Sequence, residues 1–104
     1  MEKDKHTTDI MFRVDTAKDS KGEVFALFPH DVSTLHGSVT FYQHIGQHGS
    51  ADYNHCIKTS RPATEEEAKD LKEEMESIGY NIRVVKKRNY DKYLADYKRV
   101  NGRK

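Results

Sequence analysis

The chain has 104 residues, of which 18 are Lys or Arg and 17 are Asp or Glu, so its formal net charge is only +1. This length suits one domain with one hydrophobic core, and we expect a single domain over residues 1–104, ordered from about residue 9 to about residue 100 with frayed ends. Val, Ile, Leu and Phe together supply only 20 residues, but disorder needs strong charge repulsion as well as few apolar residues. The balance of charges therefore favours a small folded domain.

The composition predicts neither a membrane segment nor a secretory segment. No stretch approaches the roughly 20 apolar residues of a membrane span. The polar start, Met1 to His6, leads into no apolar signal segment. The single cysteine, Cys56, excludes an internal disulfide. We therefore expect a cytoplasmic protein without membrane contacts, and the sequence leaves its oligomeric state open.

The near-neutral net charge is the sum over an acidic segment and a basic segment. Residues 1–82 carry 9 basic and 15 acidic side chains, whereas residues 83–104 carry 9 basic and 2 acidic ones. The C-terminal segment is thus strongly basic, and an anionic partner is the natural expectation for it.

The first half of the chain predicts three strands. Residues 10–15 alternate between apolar and polar side chains, which is typical of a half-buried strand. Turn-forming residues at 18–22 separate them from the apolar run 23–28, and we expect Pro29 to end that second strand. These two strands predict a hairpin. The β-branched and aromatic run 38–44 predicts the third strand.

The second half predicts a helix, a strand and a second helix. Thr64 and Glu67 have the spacing of a capping box at the start of a helix over 64–78, whose apolar side chains recur on one face. Alternation over 80–84 predicts a strand, and the basic, tyrosine-rich residues 89–100 predict an amphipathic helix. The order β-β-β-α-β-α indicates an α+β fold. We expect a small, mainly antiparallel sheet with one amphipathic helix packed on one face and a basic C-terminal helix.

The polar loop after the third strand contains side chains of the kinds that bind zinc. Structural zinc sites need four imidazole, thiolate or carboxylate ligands. The loop lacks a Cys-x-x-Cys or His-Glu-x-x-His motif, so histidines that only hydrogen-bond within the loop are the alternative. The candidate zinc ligands are His44, His48, His55 and Cys56.

The same segment contains residue types of an activated nucleophile. Cys56 follows His55, and Ser50 lies between His48 and Asp52. Neighbours in sequence seldom meet in triad geometry, and the chain has no Gly-x-Ser-x-Gly turn. We therefore predict no catalytic residue, and we expect Cys56 to be a small buried side chain.

Polar side chains of residues 43–55 also offer directional hydrogen bonds. They suit contacts with a ligand, but polar loop residues often satisfy one another and the loop backbone instead. The candidate loop contacts are Gln43, Gln47, His48, Asp52 and Tyr53.

The segment from Arg83 onward combines basic side chains with tyrosines. Lys and Arg neutralise phosphates, and tyrosine rings stack on unpaired bases, so the pattern predicts contact with nucleic acid. The alternatives are packing of the tyrosines onto the sheet and docking of the basic helix, either onto the acidic helix at 64–78 or onto the acidic surface of a partner. The candidate contact residues are Lys86, Lys87, Arg88, Tyr90, Lys92, Tyr93, Lys98 and Arg99.

Several short strings resemble a group of short bacterial and phage or mobile-element proteins without an assigned activity. They are Phe28-Pro29-His30-Asp31, the segment from Tyr42 to Tyr53, Arg61-Pro62-Ala63-Thr64 and Ile78-Gly79-Tyr80-Asn81. The resemblance implies an accessory protein of mobile DNA that binds nucleic acid or a host protein. With the residue patterns, it predicts a small non-enzymatic binding module that uses the basic end and the 43–55 loop. A zinc-binding protein is the alternative.

Overall fold

A computed structural model describes residues 7–16, 22–43 and 47–101 of the chain, with Gln47 as backbone only. Within these ranges a mainly antiparallel sheet and three helices form a small α+β fold, which confirms the predicted fold class. The strands are β1 (Thr8–Asp15), β2 (Val24–Val32), β3 (Val39–Gln43), β4 (Gln47–Ala51), β5 (Ser60–Pro62) and β6 (Ile82–Val84). The helices are α1 (Tyr53–Lys58), α2 (Glu65–Ser77) and α3 (Tyr90–Asn101). The expected frayed ends and most of the turn at 18–22 lie outside the described residues.

The first strand is the centre of the sheet. Strands β1 to β4 pair antiparallel in chain order, so β1–β2 is the predicted hairpin. The other edge of β1 is shared by two short strands, because β6 pairs parallel with residues 8–10 and β5 pairs antiparallel with residues 13–15. Pairing with β1 therefore fixes the positions of both β5 and β6.

Alternating side chains along β1 and β2 form a hydrophobic core on each face of the sheet. One core packs against α2 and contains Ile10, Phe12, Ala26, Phe28, Tyr42, Ala68, Leu71 and Met75. The other contains Met11, Phe25, Leu27 and Val39, and side chains of α1 and α3 pack against it. The sheet therefore has helices on both faces. Within the described ranges, no helix is long and apolar enough to cross a membrane.

The observed order contains three elements that the predicted order β-β-β-α-β-α lacks. The residues predicted as a polar loop form β4 and α1, and β5 follows directly. β4 has almost no apolar side chains, so its sequence gives no alternation; instead it pairs with β3 over five residues. Helix α1 is only six residues long and has no fully buried side chain. Pairing and tertiary packing, rather than local propensity, produce these elements.

Pro29 does not end the second strand, so that prediction is wrong. β2 continues to Val32, and Pro29 is buried within it. The pairing of β2 with β3 shifts register between Leu27 and Val32. A proline is tolerated in such an irregular stretch because its missing N–H leaves no regular ladder bond unmade.

The helix α2 has the predicted cap. The Thr64 hydroxyl accepts a hydrogen bond from the Glu67 N–H at 3.1 Å, and the Glu67 carboxylate accepts one from the Thr64 N–H at 2.9 Å. Arg61 and the Thr64 N–H together lower the pKa of Glu67 to about 2. Gly79 follows the helix with a φ of 113°, a conformation that glycine adopts without strain.

The start of α3 is fixed by a chain of polar contacts around a half-buried histidine, His30. The Asn89 N–H donates to His30 Nε2 at 2.8 Å, so the proton of the neutral ring is on Nδ1, which donates to Asp9 at 3.0 Å. The Asp9 carboxylate also pairs with Arg83 at 2.6 Å and with Lys92 at 3.3 Å. The hydrogen bond from Arg83 is the main reason that the pKa of Asp9 falls to about 2. The network joins β1, β2, β6 and α3.

Two further contacts hold α3 along its length. The Val32 N–H donates to Asp96 at 2.7 Å, and the Tyr93 hydroxyl donates to the Gly37 carbonyl at 3.0 Å. Gly37 has a φ of 89°, and a β-carbon there would lie 2.5 Å from the Tyr93 hydroxyl. Only glycine can approach the Tyr93 hydroxyl this closely, and it allows the loop between β2 and β3 to pack against α3.

Replacing Thr64 by alanine removes the hydroxyl that caps α2. We expect the free energy of unfolding to fall by about 1 kcal/mol, because the Glu67 N–H loses its acceptor. Thr64→Ser keeps the hydroxyl and should retain most of the wild-type stability. Guanidinium denaturation of both variants measures the difference, and equal stability of the two would contradict the capping role.

Acidification is expected to weaken the attachment of α3 by protonating His30. Burial lowers the pKa of His30 below its ordinary value of 6.5, and nearby Lys92 and Arg88 act in the same direction, whereas Asp9 opposes them. The folded state thus favours the neutral ring. Its stabilisation is complete above pH 6.5 and is lost as the pH falls below that value, because the unfolded chain then binds more protons.

Denaturation curves from about pH 7.5 to about pH 5 measure this loss. His30→Gln keeps an acceptor for the Asn89 N–H without titrating, so its stability should depend less on pH in this window. His55→Gln alters an exposed histidine of α1 and should keep the wild-type pH dependence. A His30→Gln variant with the wild-type slope would contradict the role of His30.

Candidate functional site

Arg88 has an unusual environment immediately before α3. Its guanidinium carbon lies 3.9 Å from the centre of the Tyr53 ring and 4.0 Å from the centre of the Tyr93 ring. Both distances are well within the range of cation–π contacts. Asn89, the next residue, is bound to His30, and its side chain accepts the Lys92 N–H at 3.2 Å. The fixed start of α3 thus places Arg88 between a ring of α1 and a ring of α3.

The stacked guanidinium has an open edge. Its N–H donors lie in the guanidinium plane, and contact with the faces of aromatic rings does not use them in hydrogen bonds. None of the described residues accepts a hydrogen bond from the Arg88 side chain, which is half-buried. Such an edge is suited to bidentate contact with a carboxylate, a phosphate or the edge of a base.

A cavity of about 410 Å³ opens beside Arg88. It is formed by the loop between β2 and β3, the start of α1 and the start of α3, and is lined by His36, Gly37, Ser38, Asp52, Tyr53, Asn54, Arg88 and Tyr93. Asp52 occupies the position before α1, but its side chain does not cap the helix. The cavity therefore presents a carboxylate, an amide and a hydroxyl beside the guanidinium.

A second cavity, of about 700 Å³, lies between β1 and α2. Two pairs of its charged side chains neutralise each other along α2, Lys69 with Glu73 at 3.4 Å and Lys72 with Glu76 at 3.0 Å. Its floor is mainly apolar, with side chains such as Phe12 and Ala68. The smaller cavity offers more directional groups that lack a described partner, and it is the candidate site.

The predicted basic contact residues divide into three groups. Arg88 and Tyr93 line the cavity, and Tyr90 is 59% exposed with its ring centre 5.8 Å from that of Tyr93. Two of the cations are held by carboxylates, Lys92 by Asp9 and Arg99 by Asp96 at 2.7 Å. Within the described ranges no carboxylate pairs with the remaining cations, which are exposed: Lys86, Lys87 and Lys98.

The predicted loop contacts separate onto two sides of the sheet. Asp52 and Tyr53 reach the cavity beside Arg88. His48 lies on the α2 side, where its Nε2 is 2.8 Å from the Tyr80 hydroxyl and its ring centre 4.7 Å from that of Tyr42. Gln43 and Gln47 form the last backbone pair between β3 and β4. Two of the five predicted loop residues therefore join the candidate site.

The candidate zinc ligands are not brought together as far as they are described. His48 faces the α2 side, whereas Cys56 packs against the core on the opposite face, so the sheet lies between them. His55 is exposed on α1, and His44 lies outside the described residues. Among the residues with described positions, no group of three or more His, Cys, Asp or Glu side chains has a metal-binding arrangement. Zinc binding stays a prediction.

The residues considered for nucleophilic chemistry have other contacts. Burial raises the pKa of the Cys56 thiol, which favours the less nucleophilic form. The Ser33 hydroxyl donates to Ser50 at 2.8 Å, and His48 bonds to Tyr80. The geometry therefore does not place these groups together as a nucleophile with its base.

Sequence reasoning misses three of the eight residues that line the cavity, His36, Gly37 and Ser38, because nothing local marks them as contact residues. Asn54 belongs to the polar loop whose side chains offer directional hydrogen bonds. Helix α1 does carry a usable signal, because Tyr53, Cys56 and Ile57 recur at helical spacing and pack against the same core.

The chain matches no protein-family model, no curated protein and no solved structure in the comparisons with known proteins. The resemblance to mobile-element proteins stays a prediction. The geometry around Arg88 is therefore the basis for a functional proposal.

Proposed function

We propose that this protein is a non-enzymatic module that binds single-stranded nucleic acid through Arg88 and the basic, tyrosine-bearing segment around it. One observation carries the proposal: the Arg88 guanidinium contacts the rings of both Tyr53 and Tyr93 and has no hydrogen-bond acceptor among the described residues. Stacking orients the guanidinium before any ligand arrives, so less side-chain entropy is lost on binding.

The surroundings of Arg88 supply both parts of a single-strand contact. Lys86 and Lys87 are exposed on the same segment and can neutralise phosphates. Tyr90 is 59% exposed at the outer end of a row of tyrosines on α3, where an unpaired base can stack on it. Cations beside an exposed aromatic ring are the combination that single-stranded nucleic acid requires.

An acidic host protein is the competing partner. It would pair with the same cations and bury the exposed Tyr90 ring. The resemblance to accessory proteins of phage and mobile elements predicts either partner. Nucleic acid is favoured because its phosphates use the exposed cations and its bases use the neighbouring ring.

Salt dependence tests the proposal directly. A labelled oligonucleotide of thymidines or uridines, titrated with the protein at about 50 mM and about 200 mM salt, should bind by fluorescence anisotropy and weaken steeply. With about four phosphate contacts, the affinity should fall roughly 50-fold between the two salt concentrations. No binding at the lower salt would overturn the proposal, and a protein complex that survives nuclease treatment would then favour the acidic host protein.

Substitutions locate the contact surface. Tyr90→Ala removes an exposed ring and should weaken binding about tenfold, the effect of one lost base stack. Lys86→Gln with Lys87→Gln should reduce the slope of log affinity against log salt by about 1.4, since two phosphate contacts are lost.

The matched control is Lys69→Gln with Lys72→Gln, which removes the same charge from α2, where both lysines already pair with glutamates. It should change binding little. If the control and the Lys86 and Lys87 variant weaken binding equally, the effect is one of net charge and the assigned surface is wrong.

A further inference from the structure

The cavity beside Arg88 is not built for an anion alone. Asp52 lines it together with Arg88, and neither side chain has a hydrogen-bond partner among the described residues. The carboxylate would repel a bare phosphate, and the guanidinium would repel a cation. A ligand that fits both must present hydrogen-bond acceptors to Arg88 and donors to Asp52.

The size and walls of the cavity suit a flat heterocycle. Its volume of about 410 Å³ lies in the lower part of the range for small-molecule sites. Tyr53 and Tyr93 are aromatic lining residues, and Gly37 contributes backbone without a side chain. Unpaired bases are recognised in this way, by planar side chains and by hydrogen bonds to base edges.

Guanine is the base whose edges match these two groups. Its O6 and N7 accept a bidentate contact from arginine, and its N1–H and N2 amino group donate to a carboxylate. Adenine presents an amino donor beside N7, so a guanidinium there would meet a donor. Cytosine likewise presents an amino group, and uracil and thymine offer only one N–H donor.

We infer that the cavity takes one unpaired guanine base, with Arg88 on its O6 and N7 and Asp52 on its N1–H and N2 amino group. The inference rests on the proposed binding of single-stranded nucleic acid and gives that activity a base preference. The cations and Tyr90 contact single-stranded nucleic acid of any sequence, whereas the cavity recognises one particular base.

Four oligonucleotides test the preference. Each is a run of uridines or thymidines with one central position occupied by G, A, C or the host base, and anisotropy at low salt gives the four affinities. The strand with G should bind roughly tenfold more tightly than the other three. Guanosine monophosphate, titrated into isotope-labelled protein, should shift NMR signals of the cavity residues more strongly than adenosine monophosphate.

Asp52→Asn separates recognition of guanine from general binding. It removes the carboxylate that accepts from guanine, so the preference for G should fall several-fold. Affinity for the strand without G should stay the same or rise, because a negative charge is lost. Asp52 does not cap α1, so the variant should fold. The matched control is Asp70→Asn, an exposed carboxylate on α2, which should keep the preference.

The outcomes distinguish the two proposals. Equal affinity for all four strands would overturn the guanine site and leave the proposed function standing. No binding to any strand would overturn the proposed function, and guanosine monophosphate binding in that case would still support the site. A preference for G that survives Asp52→Asn would overturn the pairing with Asp52.

Discussion

The hydrogen bond from the Asn89 N–H to His30 fixes the start of α3 and with it the position of Arg88 in the candidate site. It requires the neutral Nδ1–H form of the ring, and Asp9 stabilises that form by accepting from Nδ1. Asp9 is itself held by cations from β6 and α3. Because Asn89 is the cap of α3, the network fixes where the helix begins and hence where Arg88 lies. A half-buried carboxylate in the first strand thus influences the position of a half-buried arginine near the end of the chain.

Much of the fold could be predicted because its signals are local. The alternation in β1 and the spacing of Thr64 and Glu67 need only a few neighbouring residues, and the structure contains both the strand and the capping box. The strand β4 and the continuation of β2 past Pro29 have no such signal. β4 is held by pairing with β3, and Pro29 is tolerated by a register shift, so both depend on partners distant in the chain. Long-range pairing overrides local propensity at these points.

The sequence predicts several residues of the candidate site but not that they lie close together in the structure. Arg88 and Tyr93 followed from the basic pattern, and Tyr53 from the polar loop, as two separate surfaces. Tyr53 approaches Arg88 and Tyr93 only because α1, a helix too short to be stable alone, packs on the sheet. Tyr93 can take its position because Gly37 has no side chain to block the Tyr93 hydroxyl. Sequence spacing carries no information about such a meeting, because residues 53 and 88 become neighbours only after both helices pack on the sheet.

The same stacking that presents Arg88 also helps to hold α3. This helix has no fully buried side chain, so polar contacts and ring packing retain it, whereas α2 is held by buried apolar side chains. Arg88 between Tyr53 and Tyr93 links α3 to α1 without a carboxylate, and that is why its edge stays open to a ligand. A ligand that contacts this edge binds only the docked form of α3 and must therefore stabilise docking. Ligand affinity and the stability of α3 therefore both depend on the equilibrium between docked and undocked α3. Protonation of His30 shifts this equilibrium towards the undocked form, so both quantities should fall at acidic pH.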